Sequence, residues 1–300
     1  MVLHLWSSAG YTFPLPAGHR FPIAKYELLR RQVVADGLVP ADGVHEPARA
    51  CTDALRLVHT DDYLARLFEG RLRPDELRRL GFPWSEALLE RSFRAVGGTC
   101  ESARAALEYG VAMNLAGGTH HAFADRGEGF CVFNDVAVAI RVLQREKRIG
   151  RAAVIDLDVH QGNGTHAIFA GDASVFTFSM HGGRNYPFAK IPGCVDVELA
   201  DGTEDDEYLE VLGSRLPGVL VGAQADLVVY LAGADPYAGD RLGRLGLTLD
   251  GLARRDAIVI GACREVGIPV AITIAGGYGR DIDDTVRAHV NTVRIAREFV

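Results

Sequence analysis

The sequence contains no run approaching the roughly 18 apolar residues that a membrane span needs. Its N-terminus has no basic stretch leading into a long apolar one, which is the pattern of a secretion signal, so a cytoplasmic protein is expected. Cysteine is scarce and scattered. The five residues, Cys51, Cys100, Cys131, Cys194 and Cys263, form no CxxC pair, which argues against a disulfide framework or a zinc ribbon and for a reducing compartment. An excess of positive charge is also missing. A net charge of −7 and a pI near 5.8 speak against a surface that binds nucleic acid by neutralising phosphates. No internal repeat, low-complexity tract or long linker divides the chain, so residues 1–300 are read as a single domain. No feature sets an oligomeric state.

What is present describes a globular protein. Hydrophobic residues make up 48% of the chain, enough for a sizeable core, and the 34 glycines suit many tight turns between strands and loops. Short β-rich apolar runs are expected as strands at 2–6, 111–116, 152–155, 174–180, 195–198, 226–232 and 268–275. Amphipathic patterns predict helices at 23–35, in the second half of 55–68 from a cap at Thr60 or Asp61, at 85–109, and from a cap at Asn134 or Asp135. Further helices are expected from 205, over 250–266 and over 282–299. Gly97-Gly98 marks either a break in the 85–109 helix or a point of close packing. The stretch 70–83 reads as a surface loop with a short helix. Strands alternating with helices, several of them solidly apolar, predict an α/β fold in three αβα layers around a mostly parallel sheet.

The segment Arg151 to His166, RAAVIDLDVHQGNGTH, organises the rest. Its apolar run ends in Asp156, Asp158 and His160, which would share one face of an extended chain. The other strands also end in glycine-rich polar loops: GGTHH at 117–121, HGGRNYP after 180, GADPY after 232 and GGYG after 275. In parallel α/β sheets ligands bind at the carboxyl ends of the strands, so these loops are expected to converge on one site. Asp158, His160 and Asp235 would offer a divalent metal three protein ligands and an open position for water. His120 and His121 would supply general base and acid. Tyr278 would donate its hydroxyl proton to an oxyanion.

The motifs GGTHH, GFCVFND, IDLDVHQGNG, GADPYAGDRLG and GGYG resemble, in this order, those of the zinc-dependent histone deacetylase family. The resemblance covers the chain from about His19 onward. HQGNG and GTEDDEYL resemble the class IV branch and its bacterial relatives most. The resemblance implies an arginase-like fold and removal of an acyl group from an acylated lysine or similar amine. It implies Zn2+ at Asp158, His160 and Asp235, a set hard enough for Fe2+ as well. By the same resemblance His120, His121 and Tyr278 are catalytic, Asp156 supports His120 and contacts a structural K+ with Ser179, and Gly129 and Phe130 line the substrate tunnel. Arg20 is matched to an arginine behind the site. Asn163 departs from the family pattern, since many members carry an aspartate there beside the second histidine. An amide can orient His121 without stabilising an imidazolium as a carboxylate would. Hydrolysis of acetylated polyamines is the alternative activity. A dimanganese arginase-type hydrolase and a non-catalytic acyl-lysine binder fit the residues less well. Class IV likeness raises long-chain fatty acyl groups as substrates, with Gly182-Gly183 as space beside the tunnel.

Overall fold

In the computed structural model, which describes residues 2–300, every strand joins one sheet and every pairing is parallel. The strands and helices follow one another as β1 (His4–Trp6), α1 (Lys25–Ala35), β2 (Val44–His45), α2 (Thr52–Leu55), α3 (Asp61–Phe68), α4 (Pro74–Leu80), α5 (Glu86–Tyr109) and β3 (Val111–Asn114). Then come α6 (Asp135–Arg145), β4 (Ala152–Asp156), α7 (Asn163–Ile168), β5 (Val175–Gly182), β6 (Val195–Leu199) and α8 (Asp205–Ala223). The chain finishes with β7 (Leu227–Leu231), α9 (Leu249–Glu265), β8 (Val270–Thr273) and α10 (Ile282–Arg297). The spatial order is β2-β1-β3-β8-β7-β4-β5-β6.

The inner strands are apolar on both faces because helices cover both. Along β4, Ala153 and Ile155 join one core, with α1, α8, α9 and α10, while Ala152 and Val154 join the other, with α3, α5 and α6. Each fully buried Val, Leu or Ile contributes about 1.5–3 kcal/mol relative to an exposed one, so the two cores together hold the sheet between its helical layers. This is the three-layer αβα architecture expected from the sequence, with a sheet that is wholly rather than mostly parallel. The edge strand β6 alternates between partly buried and exposed residues until the buried Leu199.

Local chemistry sets the boundaries. Thr60 caps α3 by accepting from the Tyr63 N–H, and Asn134 caps α6 by accepting from Ala137, each worth about 1 kcal/mol. The helix α5 runs unbroken through Gly97 and Gly98, which act as close-approach points: a Cβ on Gly97 would lie 1.8 Å from the Ala48 carbonyl oxygen, and one on Gly98 2.8 Å from Asn114 Oδ1. β2, two residues long, is too short for any periodicity to reveal.

One expectation about the organising segment needs correcting. The strand β4 stops at Asp156, and residues 157–162 form bends and irregular chain rather than continued extended backbone. Asp158 and His160 are therefore not aligned by strand alternation. The His160 N–H donates to Asp158 Oδ1 at 2.9 Å, a side-chain-to-backbone bond across two residues that folds the loop back on itself.

Candidate active site

The carboxyl ends of the four central strands, β3, β8, β7 and β4, deliver the polar loops to one place. Asp158 and His160 follow β4, Asp235 follows β7, His120 and His121 follow β3, and Tyr278 follows β8. Ligand atoms of Asp158, His160 and Asp235 all lie within 4.8 Å of one another. Nδ1 of His160 stands 2.9 Å from Asp158 Oδ1 and 3.3 Å from Asp235 Oδ2.

These three residues fit a divalent cation. Asp235 is fully buried, and its Oδ2 has no hydrogen-bond partner, while Oδ1 accepts from the Val159 N–H at 3.0 Å. An orphaned carboxylate oxygen in the interior is costly unless a cation compensates it. Burial and the neighbouring charge of Asp158 push the Asp235 carboxyl up to about 6. Oxygen and imidazole donors suit zinc or iron(II). Gly276 makes room: its N–H donates to Asp158 Oδ2 at 2.7 Å, and a Cβ there would sit 1.9 Å from Asp235 Oδ2.

The two histidines stack beside this centre with ring centroids 4.1 Å apart, but their partners differ. His120 Nδ1 donates to Asp156 Oδ2 at 2.7 Å; burial opposes its charge, and the Asp156 and Asp158 carboxylates outweigh that and raise its pKa to about 9. His121 Nδ1 donates to Asn163 Oδ1 at 2.7 Å. Burial, and then the nearby His120 and His160, hold the His121 pKa well below the usual imidazole value. His121 is thus neutral, with its second nitrogen free to accept a proton. Tyr278 is held by its backbone, whose N–H donates to Asp240 Oδ2 at 2.6 Å. Burial, and then the Asp235 charge, lift its phenol well above 10, so it keeps the proton it would donate.

Gly129 and Phe130 both adopt positive φ, 55° and 65°. A Cβ on Gly129 would lie 2.7 Å from the His121 ring, so the wall of the site can approach this closely only as glycine. The Phe130 ring lies 5.9 Å from that of Tyr278, and the Tyr186 ring stands edge-on to His121 at 5.0 Å. Asp156 and Ser179 are paired across β4 and β5, and Ser179 Oγ lies 2.9 Å from His181 Nδ1.

Two expectations do not hold. Arg20 is exposed at the mouth of the site rather than behind it. Gly182 and Gly183 do not line the tunnel; they shape the turn after β5, where Gly182 N–H donates to the Val159 carbonyl at 3.0 Å and accepts from Asn185 N–H at 2.9 Å through its own carbonyl.

Three residues that sequence reading passed over are part of the support. Lys25 is 1% exposed, with Nζ 3.4 Å from the carbonyl oxygens of both Ala275 and Gly277, and it lies 5.6 Å from the Tyr278 ring centroid. It occupies the inner place expected of Arg20. A lysine on a predicted buried helix face was the available signal. Arg255, also 1% exposed and paired with Asp256, donates to the carbonyls of Leu157 at 3.2 Å and Gly233 at 2.7 Å, just ahead of two of the three clustered ligands. Glu128, inside the GEGF run, accepts from Asn163 Nδ2 at 3.2 Å and from the Tyr186 hydroxyl.

Comparison with known proteins agrees with this arrangement. Residues 19–293 match the family model described as the histone deacetylase domain. An uncharacterized protein of Picosynechococcus is 44% identical over 288 residues, 96% of either chain. Histone deacetylase 2 of Arabidopsis thaliana is 35% identical over 87% of this chain and 70% of its own length. Among solved structures, an HDAC homolog from Aquifex aeolicus superposes with a TM-score of 0.86 at 26% identity, over 100% of this chain and 85% of that one.

Proposed function

Since the chain belongs to the histone deacetylase family, we propose that it is a metal-dependent amidohydrolase that removes an acyl group, acetyl or longer, from an acylated lysine side chain. The observation that carries this reading is the convergence of Asp158, His160 and the orphaned Asp235 Oδ2 beneath His120, His121 and Tyr278. Asp158, His160 and Asp235 would hold Zn2+ or Fe2+. A divalent ion bound by them supplies Lewis acidity, lowering the pKa of a water and polarising the acyl carbonyl.

The side chains divide the remaining work. The walls at Gly129, Phe130 and Tyr186 guide the acyl-lysine stem inward and exclude bulk water. His121, neutral and anchored through Nδ1, takes the proton from the attacking water on its opposite nitrogen and passes it to the departing lysine amine. His120 stays fixed and positively polarised by Asp156. Tyr278 donates its hydroxyl to the acyl oxygen as negative charge develops there, a contribution of about 3–4 kcal/mol for one such donor. Asp156 and Ser179 are the residues proposed to meet a structural K+.

The inner cavity, about 50 Å³ and lined by Asp158, His160, Asp235 and Tyr278, is where the scissile amide would be brought to the ligand cluster.

The test is hydrolysis of a neutral peptide carrying acetyl-lysine, before and after chelation and with Zn2+ or Fe2+ restored. Metal-dependent release of acetate is the expected result. Absence of hydrolysis with stoichiometric metal bound would overturn the assignment.

A further inference from the structure

The inner site opens outward into a funnel of about 800 Å³ whose wall is strongly basic. Arg20 comes from the segment before α1, Arg78 and Arg79 from α4, Arg184 from the loop after β5, and Arg241 and Arg244 from the loop after β7. Among the described residues, no aspartate or glutamate lines the funnel. One nearby acid, Asp201, is shared by Arg184 at 3.5 Å and Arg244 at 3.1 Å. Arg20, Arg78, Arg79 and Arg241 make no ion pair among the described residues, although arginines elsewhere, such as Arg66, Arg94 and Arg104, are paired with acids. A protein of net charge −7 thus surrounds its entrance with the opposite sign.

Resting on the deacylase reading, we propose that the substrate is an acyl-lysine set in an acidic stretch of protein, with carboxylates on both sides of the modified residue. A concave mouth with low-dielectric walls focuses the field of its charges, so it draws in anions and repels cationic chains. Guanidinium groups also grip carboxylates bidentately. Arg241 is already oriented for this: both its backbone N–H, at 3.2 Å, and its Nε, at 3.0 Å, donate to the Tyr278 carbonyl, leaving its Nη groups uncommitted beside the entrance. The arginines come from four separated segments around the mouth, which matches several spaced carboxylates of a peptide better than one anionic group on a small molecule. Phe188, 87% exposed on the same wall, adds an apolar contact for the flanking chain. Lysine-rich tails and polyamines carry the wrong charge for this entrance.

The experiment uses the metal-loaded protein and short peptides with a central acetyl-lysine flanked by Asp, by Asn or by Lys, with acetylspermidine alongside. The Asp-flanked peptide should have about tenfold higher kcat/KM than the Asn-flanked one, and the Lys-flanked one the lowest, with the difference in KM and fading between about 50 and about 500 mM salt. Arg78→Glu with Arg79→Glu, and separately Arg244→Glu, should shrink the ratio while leaving the melting temperature unchanged. Equal kcat/KM on all three peptides, or a preference for the Lys-flanked peptide or acetylspermidine, would overturn the proposal. If none of the peptides is hydrolysed, the deacylase reading fails. The rim is then decided by fluorescence anisotropy with labelled peptides: tighter binding of the Asp-flanked one supports the proposal and equal binding refutes it.

Discussion

The amide nitrogen of Asn163 donates to Glu128 Oε1 at 3.2 Å, and this bond decides which way the amide faces. A carboxylate only accepts, so the NH2 group must point to Glu128 and the oxygen to His121 Nδ1, 2.7 Å away. His121 is thereby fixed with its proton on Nδ1 and its other nitrogen bare. Glu128→Gln removes that compulsion, because Gln can donate as well as accept. The expected result is a fall in kcat of about tenfold with little change in KM, the scale on which partners of active-site histidines act. In an Asn163→Asp background the sign should reverse: Glu128 then faces a like charge, and Glu128→Gln should raise activity. A double-mutant cycle in kcat checks both, and additive losses would count against the amide-orienting role.

Asn163→Asp alone also places an opposite charge next to His121, whose pKa burial and the neighbouring imidazoles hold low. An adjacent carboxylate stabilises the protonated ring and raises that pKa. The base then becomes protonated at higher pH, so the acidic limb of kcat/KM should move upward. Overlapping pH–rate profiles for the two proteins would refute this.

Tyr278→Phe keeps the ring, and with it the packing near Phe130 and Lys25, but removes the hydroxyl. Loss of one oxyanion donor should lower kcat by about 10²–10³-fold. Metal content, measured by elemental analysis, should stay at the wild-type value, because Tyr278 is not among the three clustered ligands.

Gly276→Ala separates metal binding from folding. The added methyl would fall 1.9 Å from Asp235 Oδ2 and 2.5 Å from Asp158 Oδ2, pushing two of the clustered carboxylates apart. Metal affinity from competition with a chromophoric chelator should drop by about tenfold or more, the scale on which displaced support around a metal is felt. The far-UV circular dichroism spectrum should not change.

His59 carries a pH signature for stability. It donates from Nδ1 to the Phe123 carbonyl at 3.0 Å and accepts the Asn134 N–H on Nε2 at 3.0 Å, clasping both ends of the loop that bears Gly129 and Phe130. Only the neutral ring can do both. Burial depresses its pKa from 6.5 to about 4, so as pH falls the unfolded chain takes up the proton first. Its contribution is complete above pH 6.5 and is lost on acidification toward pH 4, about 3 kcal/mol in all. Urea unfolding of His59→Gln against pH should show a shallower acid decline than the wild type.

Much of this architecture is legible in the sequence because buried parallel strands and amphipathic helices announce themselves locally. The runs ending at Asp156, Leu231 and Thr273 are apolar on both faces, and their polar ends had to meet once the strands were parallel. What escaped notice depends on distance in the chain. Lys25 meets the Tyr278 loop across some 250 residues, and Arg255 reaches Leu157 across 98. No periodicity encodes either contact. Asp158 and His160 were identified through an extended-chain alternation that the fold does not use, since a side-chain-to-backbone bond bends the loop instead. The basic entrance was equally hidden, because its arginines lie in four stretches that only the fold brings together.

The sheet order has a consequence for synthesis of the protein. β8, the last strand made, lies between β3 and β7 in the middle of the sheet, not at its edge. While it is missing, β3 cannot pair with β7 in the final order, so the histidine pair and the metal ligands remain on separate halves of the nascent chain. Closing that gap requires contacts between distant parts of the sequence, which form slowly. A ribosome-bound chain ending before about residue 275 would hold all three clustered ligands, on the loops of the neighbouring strands β4 and β7, yet lack Tyr278 and the strand that brings the histidine pair beside them, so the ligand set is complete before the catalytic site is.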